Sequence, residues 1–134
     1  MAAKSASWLS HFKRKAVKLL DSAYMRTHQE IDARSLALHR LIADKIRRDP
    51  RLFGNVKETL SRWRASVCIS SQPYLDEWDR LVSQGMEVCL SAAEEDSPHA
   101  TALRQSSPFS AVLTHRERFA FLKAWSRSDE TQGT

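Results

Sequence analysis

Helix-breaking residues are scarce in this 134-residue chain, and this scarcity restricts its fold more than any other feature. Only three glycines and four prolines occur, while leucine, alanine, arginine and lysine are abundant. Since glycine and proline interrupt helices and the abundant residues favour them, the composition predicts an all-α protein. The length predicts one domain, so we expect a single compact bundle of about five to six helices. The prolines fall where helices are expected to stop or start, at Asp49-Pro50, Gln72-Pro73, Ser97-Pro98 and Ser107-Pro108.

Apolar residues recur at helical spacing and predict where the helices lie. The expected helices run from Ser5 to Met25, from Asp32 or Ser35 to Arg48, from Pro50 to Val67, from Pro73 to Ala93, from Ser97 to Gln105 and from Thr114 to Trp125. Asp49 and Ser97 are predicted helix caps, and Thr114 with Glu117 fits a capping box. A polar connector, Arg26–Arg34, is expected between the first two helices.

Charge is distributed unevenly along the chain. Residues 1–67 carry a net charge of +9, and residues 68–134 carry a net charge of −4. This polarity predicts either an anionic partner for the basic half or head-to-tail association, with simply solvated faces as the alternative. Residues 1–33 are expected to form a basic amphipathic helix and its connector. Residues 34–127 are expected to form the helical domain, and residues 128–134 a disordered tail.

Several classes of function are disfavoured by what the sequence lacks. Three scattered glycines cannot form a phosphate-binding loop, and the two cysteines and five histidines lack the spacing of metal ligands. We therefore expect no cofactor, no metal and no catalytic residue. No apolar run approaches the ~20 residues that cross a bilayer. The basic first helix is expected to pack its apolar side on the domain or a partner rather than to lie on an anionic membrane or accompany nucleic acid, so a membrane partner is not expected. Cys68 and Cys89 lie in apolar segments, as is typical of free thiols in a cytoplasmic protein.

A basic cluster over the second and third predicted helices indicates nucleic-acid binding as an alternative function. Such clusters bind phosphate through counterion release. The helix pair lacks a tight turn followed by a polar recognition helix, so solvated basic faces remain the competing interpretation. The members of the cluster are Lys45, Arg47, Arg48, Arg51, Lys57, Arg62 and Arg64.

A third hypothesis rests on Arg34 and His39. The stretch Arg34-Ser-Leu-Ala-Leu-His39 fits a loose Arg-x4-His pattern that resembles HEPN-type ribonucleases, which are also small and all-helical. In that family the arginine is thought to hold the RNA phosphate while the histidine moves a proton. The pattern lies early in this chain, whereas it lies late in the sequences of that family.

The stretch Arg104-Gln105-Ser106-Ser107-Pro108-Phe109, called the 104–109 corner below, is the least ordinary part of the sequence. Proline disfavours helix at the residue before it, so the short fifth helix should end at this point. Phe109 begins an apolar step that continues with Val112 and Leu113. This pattern fits an exposed apolar anchor with polar groups around it, and it equally fits a loop packed in the core of the domain.

The 104–109 corner also carries a family resemblance. With the adjoining Ala102, Leu103 and Leu113, and together with Leu38–Ile46, Arg62-Trp63, Tyr74–Trp78 and Arg116–Phe119, it resembles small, uncharacterised bacterial all-helical proteins that are paired with nucleotidyltransferase-like toxins. The resemblance covers residues 36–125. It implies an antitoxin or accessory role through protein–protein interaction, and it implies no catalytic residue.

On this interpretation the protein is non-enzymatic and regulates a nucleotidyltransferase-type toxin by binding to it. Phe109 would be the apolar anchor of the interface. Arg116 and Arg118 would face acidic groups, such as metal-binding carboxylates of the toxin. The residues predicted to contact the partner are Arg104, Gln105, Ser107, Pro108, Phe109, Arg116 and Arg118.

Overall fold

A computed structural model describes residues 27–66 and 72–132, with side chains as far as residue 127. No strand occurs among these residues, and the predicted all-α bundle of five to six helices is confirmed. The helices are α1 over residues 27–48, α2 Phe53–Ser66, α3 Gln72–Ser83, α4 Met86–Ala93, α5 Pro98–Arg104 and α6 His115–Gln132. Two 3-10 turns, Pro50–Leu52 and Ser110–Val112, precede α2 and α6.

The chain divides into two compact units, Met1–Ala33 and Arg34–Thr134. In the first unit the structure describes residues 27–33, which are helical, so the predicted polar connector Arg26–Arg34 is wrong from Thr27 onward. Its polar residues include no glycine or proline, and nothing in them interrupts a helix. The helix predicted from Ser5 to Met25 lies outside the described residues, as do Val67 and Cys68.

One hydrophobic core fills the second unit. Ile42 and Ile46 of α1 and Val56 of α2 are fully buried, which confirms the predicted apolar faces of these helices. Burial raises the pKa of the Cys89 thiol to about 12, so this side chain behaves as a small apolar core residue. The other apolar residues of this cluster are Ala43, Phe53, Leu60, Leu75, Trp78, Leu90, Ala93, Leu103, Phe109, Val112 and Leu113.

Gly85 divides the long helix predicted from Pro73 to Ala93 into α3 and α4. Its φ of 120° lies in a region that residues with a side chain rarely adopt. The break gives α4 a start of its own, with the Cys89 N–H donating to the Gly85 carbonyl at 3.1 Å. Two apolar residues of the stretch predicted as one continuous helix are exposed: Val88 in α4, and Tyr74 in the first turn of α3.

The other helix boundaries follow the local sequence with two exceptions. Ser97 accepts a hydrogen bond from the Ala100 N–H at 3.1 Å and caps α5 as predicted. Asp49 makes no side-chain cap, because its carboxylate pairs with the Arg51 guanidinium at 2.9 Å. The last helix continues to Gln132, past the predicted end at Trp125 and into the predicted disordered tail, since no glycine or proline stops it before that point.

Candidate binding surface

The 104–109 corner lies mostly inside the protein, so the prediction that it exposes an apolar anchor is wrong. Phe109 is 1% exposed and Pro108 is fully buried. The Phe109 ring packs edge-on against Trp78, with 5.4 Å between ring centroids, and against His39 at 6.0 Å. The Trp78 indole N–H donates to the Leu103 carbonyl at 2.9 Å. The corner therefore completes the core around Trp78 and offers no apolar surface for docking.

Arg104, predicted to contact a partner, is buried and serves the fold. Its Nη1 atom donates to the carbonyl oxygens of Ala93 at 3.1 Å and Glu95 at 2.7 Å, and its Nη2 atom donates to Thr101 Oγ1 at 3.2 Å. A cation at the C-terminal end of a helix satisfies carbonyls that lack partners within the helix. The guanidinium thus fastens α5 to the end of α4. Gln105 is exposed, in contrast to its neighbour.

His39 and Ser107 form a buried hydrogen-bonded pair. The Ser107 hydroxyl lies 2.7 Å from His39 Nε2, and His39 Nδ1 lies 2.7 Å from the Ser35 carbonyl. Since a carbonyl only accepts, these contacts assign the proton of the neutral ring to Nδ1 and make Nε2 the acceptor. The Ser107 hydroxyl oxygen also accepts the Phe109 N–H at 3.2 Å. Serine and histidine together hold the backbone of the corner.

The His39–Ser107 pair is built for structure rather than for nucleophilic catalysis. A serine nucleophile needs a basic histidine and access to substrate. Burial lowers the pKa of His39 to about 4, opposed by the hydrogen bond to Ser35 and assisted by the charge of Arg104. Both side chains are buried, and Ser107 Oγ already has two partners. The arrangement stabilises a neutral imidazole and leaves no reacting atom at the surface.

Arg34 and His39 are not brought together. Residues five positions apart on an α-helix point about 140° away from each other. Accordingly, Arg34 is exposed while His39 faces the core. The pair does not converge on one site, as phosphodiester cleavage by the two side chains would require.

Ion pairs occupy much of the basic cluster predicted for nucleic-acid binding. Pairing with a carboxylate reduces the charge available to phosphate. Arg48 and Arg62 are exposed and have no ion-paired carboxylate among the described residues, and Lys57 is exposed beside the Phe53 ring. The pairs are Lys45–Glu117 at 2.5 Å, Arg47–Glu94 at 2.6 Å, Arg51–Asp49 at 2.9 Å and Arg64–Asp76 at 2.7 Å.

Polar contacts fasten the beginning of α6 to the rest of the domain. The predicted capping box is confirmed: the Glu117 N–H donates to Thr114 Oγ1 at 3.1 Å, and the Thr114 N–H donates to Glu117 Oε1 at 2.9 Å. The Lys45 ammonium donates to the same carboxylate and to the Val112 carbonyl, and its hydrogen bond lowers the pKa of Glu117 to about 2. Arg118, predicted to face a partner, is half-buried and donates to the Ser110 carbonyl at 2.9 Å.

Beyond this first turn, α6 presents apolar and basic side chains to solvent. None of its side chains described, residues 115–127, is buried. Phe119 is 69% exposed and Leu122 is 40% exposed, while Phe121 and Trp125 stack on each other with 6.1 Å between centroids. Arg116 and Lys123 are exposed on the same side of the helix. Arg116, Phe119, Leu122 and Lys123 are called the outer face of α6 below.

Neither a metal site nor a relative identifies the protein. No group of three or more His, Cys, Asp or Glu side chains within 27–66 and 72–127 is placed to hold a metal ion. Over the described part of the chain, no helix is both long and apolar enough to cross a membrane. The chain matches no protein-family model, no curated protein and no solved structure.

The outer face of α6 is only partly visible in the sequence. Phe119 and Leu122 follow the apolar pattern of the last helix, and Arg116 is a predicted partner-facing cation. Their spacing indicates one side of a helix but not whether that side is covered. The feature of the sequence that indicates an uncovered side is the shortness of the apolar stripe, because the next position on the same side is the polar Ser126.

Proposed function

We propose that this protein is a non-enzymatic, cytoplasmic regulator that binds a nucleotidyltransferase-type toxin and restrains or assists it. The resemblance over residues 36–125 supports this class of partner. The outer face of α6 supports the mode of action, and it replaces the 104–109 corner as the docking surface. The observation that carries the proposal is the exposure of Phe119 beside Arg116.

The outer face of α6 has the composition of a protein interface. Interface hot spots combine a large apolar side chain with arginine and a polar rim. Phe119 supplies the apolar side chain, and Arg116 and Lys123 supply positive charge on either side of it along the helix. An isolated exposed leucine would need no explanation, but an exposed phenylalanine followed by an exposed leucine one turn later forms a continuous stripe.

Positive charge on this face suits a nucleotidyltransferase partner. Enzymes that transfer nucleotidyl groups use carboxylates to bind metal ions, so their active sites carry negative charge. An arginine forms two parallel hydrogen bonds with a carboxylate and is more weakly hydrated than a lysine. Arg116 would pair with such a carboxylate while Phe119 fills an adjacent apolar pocket. Covering the site in this way requires shape and charge but no chemistry by this protein.

The proposal is tested by co-expressing the protein with the product of the adjacent gene and measuring the complex. Phe119→Asp should weaken the complex at least about ten-fold, since it places a charge in the apolar contact. Tyr74→Asp is the matched control, because Tyr74 is also an exposed aromatic residue but lies on α3. A wild-type protein that forms no complex, or a Phe119→Asp variant that binds as tightly as wild type, contradicts the proposal.

Nucleic-acid binding is the second candidate, and the exposed Arg48 and Arg62 favour it. Neither side chain has an ion-pair partner in the part of the chain that the structure describes. If these two side chains bind phosphate, affinity should fall steeply with salt, and neutralising both arginines should reduce that dependence. Binding to RNA or DNA that is unchanged in the double Arg48→Gln, Arg62→Gln variant would exclude both residues as phosphate contacts.

A further inference from the structure

We propose that the outer face of α6 docks on the outer face of α4 in a second copy of the protein, giving head-to-tail association. The outer face of α4 consists of Glu87, Val88 and Ser91, with Glu95 and Asp96 just beyond the end of the helix. This association uses the same face of α6 as the proposed toxin contact. It stands on the two surfaces alone and requires no toxin.

The outer face of α4 is apolar at its centre and acidic around it. Cys89, Leu90 and Ala93 turn into the core, which directs Val88 to solvent, where it is 43% exposed. Glu95 and Asp96 are exposed, and neither carboxylate has an ion-pair partner among the described residues. An exposed valine with carboxylates around it suits a basic surface with an apolar centre.

Arg47 does not neutralise this acidic surface. Its guanidinium pairs with Glu94 at 2.6 Å, with Glu87 at 3.3 Å and with Asp44 at 3.7 Å. The hydrogen bond that Arg47 donates to Glu87 makes the largest contribution to raising the pKa of Arg47 above its ordinary value. One positive charge thus faces three carboxylates. The buried Arg104 adds a second positive charge at the end of α4, where Glu94, Glu95 and Asp96 carry three negative charges, so an excess of negative charge remains at both ends of the helix.

The two faces match in charge, in apolar content and in length. Phe119 lies between Arg116 and Lys123, as Val88 and Ser91 lie between Glu87 and Glu95. Arg116 and Lys123 are about 10 Å apart along the helix, and α4 is about 12 Å long. Laid side by side, the phenylalanine contacts the valine while the cations at each end meet carboxylates. Long-range attraction between the basic and acidic surfaces would favour this orientation.

Two other occupants of the α6 face, a second α6 helix and a membrane, fit less well. Two α6 helices packed antiparallel would place Arg116 opposite Lys123, and these like charges repel. An anionic membrane would attract the cations, but the apolar stripe stops at Ser126, and acidic residues follow at positions 129 and 130. A second copy offers opposite charge and an apolar contact together. Because each copy carries both faces, the contact can repeat and build rings or open chains.

Sedimentation velocity on the full chain over a wide concentration range tests the association. Wild type should form species larger than a dimer at low salt and dissociate as salt rises, since screening weakens attraction between exposed charges. Phe119→Asp disables the α6 face and Val88→Asp disables the α4 face, so each variant alone should remain monomeric. Both residues are exposed, and circular dichroism would check that each variant stays helical.

Mixing the two variants separates head-to-tail contact from the alternatives. The Val88→Asp copy keeps an intact α6 face and the Phe119→Asp copy keeps an intact α4 face, so an equimolar mixture should form a dimer and nothing larger. A Tyr74→Asp variant should associate as wild type does.

Four results would overturn the proposal. A wild type that is monomeric at all concentrations contradicts it, and so does association that Phe119→Asp abolishes but Val88→Asp does not affect, which would indicate contact between two α6 helices. Phe119-dependent binding to phosphatidylserine vesicles by a monomeric wild type would assign the face to lipid. Toxin binding by a wild type that is monomeric would contradict the proposed self-association and leave the proposed function in place.

Discussion

The Nε2 atom of His39 accepts a hydrogen bond from the Ser107 hydroxyl at 2.7 Å, joining α1 to the 104–109 corner across 68 residues of sequence. The same hydroxyl accepts the Phe109 N–H, and Phe109 packs on both His39 and Trp78. In a core of low dielectric constant, an unpaired polar group is costly, so the members of this group depend on one another. The corner owes its buried position to these contacts.

Removing the Ser107 hydroxyl should destabilise the protein markedly. Ser107→Ala leaves His39 Nε2 and the Phe109 N–H without their partner in the core, and the free energy of unfolding should fall by about 1–3 kcal/mol. Urea unfolding monitored by circular dichroism measures the change. Ser106→Ala is the control, because Ser106 is only half-buried, and it should change stability by less than about 0.5 kcal/mol. Equal effects of the two substitutions would contradict this role for Ser107.

Stability should decrease as pH falls from neutral, because His39 resists protonation in the folded protein. The pKa of His39 is about 4 when folded and 6.5 in the unfolded chain. Between these values the unfolded state binds the proton and the folded state does not, so acid favours unfolding. From about pH 7 to about pH 5 the loss should be roughly 2 kcal/mol.

Urea unfolding at the two pH values, with His39→Gln for comparison, tests this origin. The variant should be less stable at neutral pH but should lose less on acidification. Glu117 does not contribute to this difference between pH 7 and pH 5. Its pKa is lowered in the folded protein, so the stability that it provides is lost only when the pH falls below its ordinary pKa of 4.5. A pH dependence that is the same in wild type and His39→Gln would assign the effect to other groups.

Phe109 and Phe119 should differ sharply in their response to truncation. Phe109→Ala removes a buried ring from the core and should reduce the free energy of unfolding by about 3–5 kcal/mol. Phe119→Ala affects a ring that is 69% exposed, and it should change the free energy of unfolding by less than about 0.5 kcal/mol. Thermal unfolding of the two variants compares them directly. A Phe109→Ala protein as stable as wild type would show that the corner is not part of the core.

Replacing each of the two described glycines by alanine should change the free energy of unfolding in opposite directions. Gly85→Ala should destabilise the protein by about 1–3 kcal/mol, because the backbone at φ 120° is strained for any side chain even though the added Cβ would meet open space. Gly54→Ala, in α2 with equally open space, should stabilise it by up to about 1 kcal/mol through helix propensity. Chemical denaturation of both variants measures the pair, and a neutral Gly85→Ala would contradict a backbone requirement at this turn.

Local rules are sufficient where neighbouring residues decide the structure. Pro50 and Ser97 mark helix boundaries correctly, and Thr114 forms its capping box, because each acts within one turn of itself. The break at Gly85 is not predicted, because an isolated glycine is also tolerated inside a helix. The positive φ at Gly85 belongs to the folded backbone, and no local pattern in the sequence specifies it.

The orientation of the 104–109 corner depends on distant residues. A buried phenylalanine and an exposed anchor have the same apolar signature in the sequence, and Trp78 and His39 decide between them for Phe109. The ion pairs between the basic cluster and distant carboxylates cannot be predicted from the sequence for the same reason. Lys45 and Glu117 are 72 residues apart, and no local pattern announces that they meet.

The burial of Cys89 gives the protein a built-in reporter of motion in its interior. A thiol with a pKa of about 12 inside the core is shielded from alkylating reagents until α4 separates from the helices around it. In a chain with Cys68 replaced by serine, the rate of Cys89 alkylation would measure how often α4 separates from its neighbours. A ligand that stabilises the closed domain would lower the rate of Cys89 alkylation, so this thiol offers a binding assay for ligands of any chemical class.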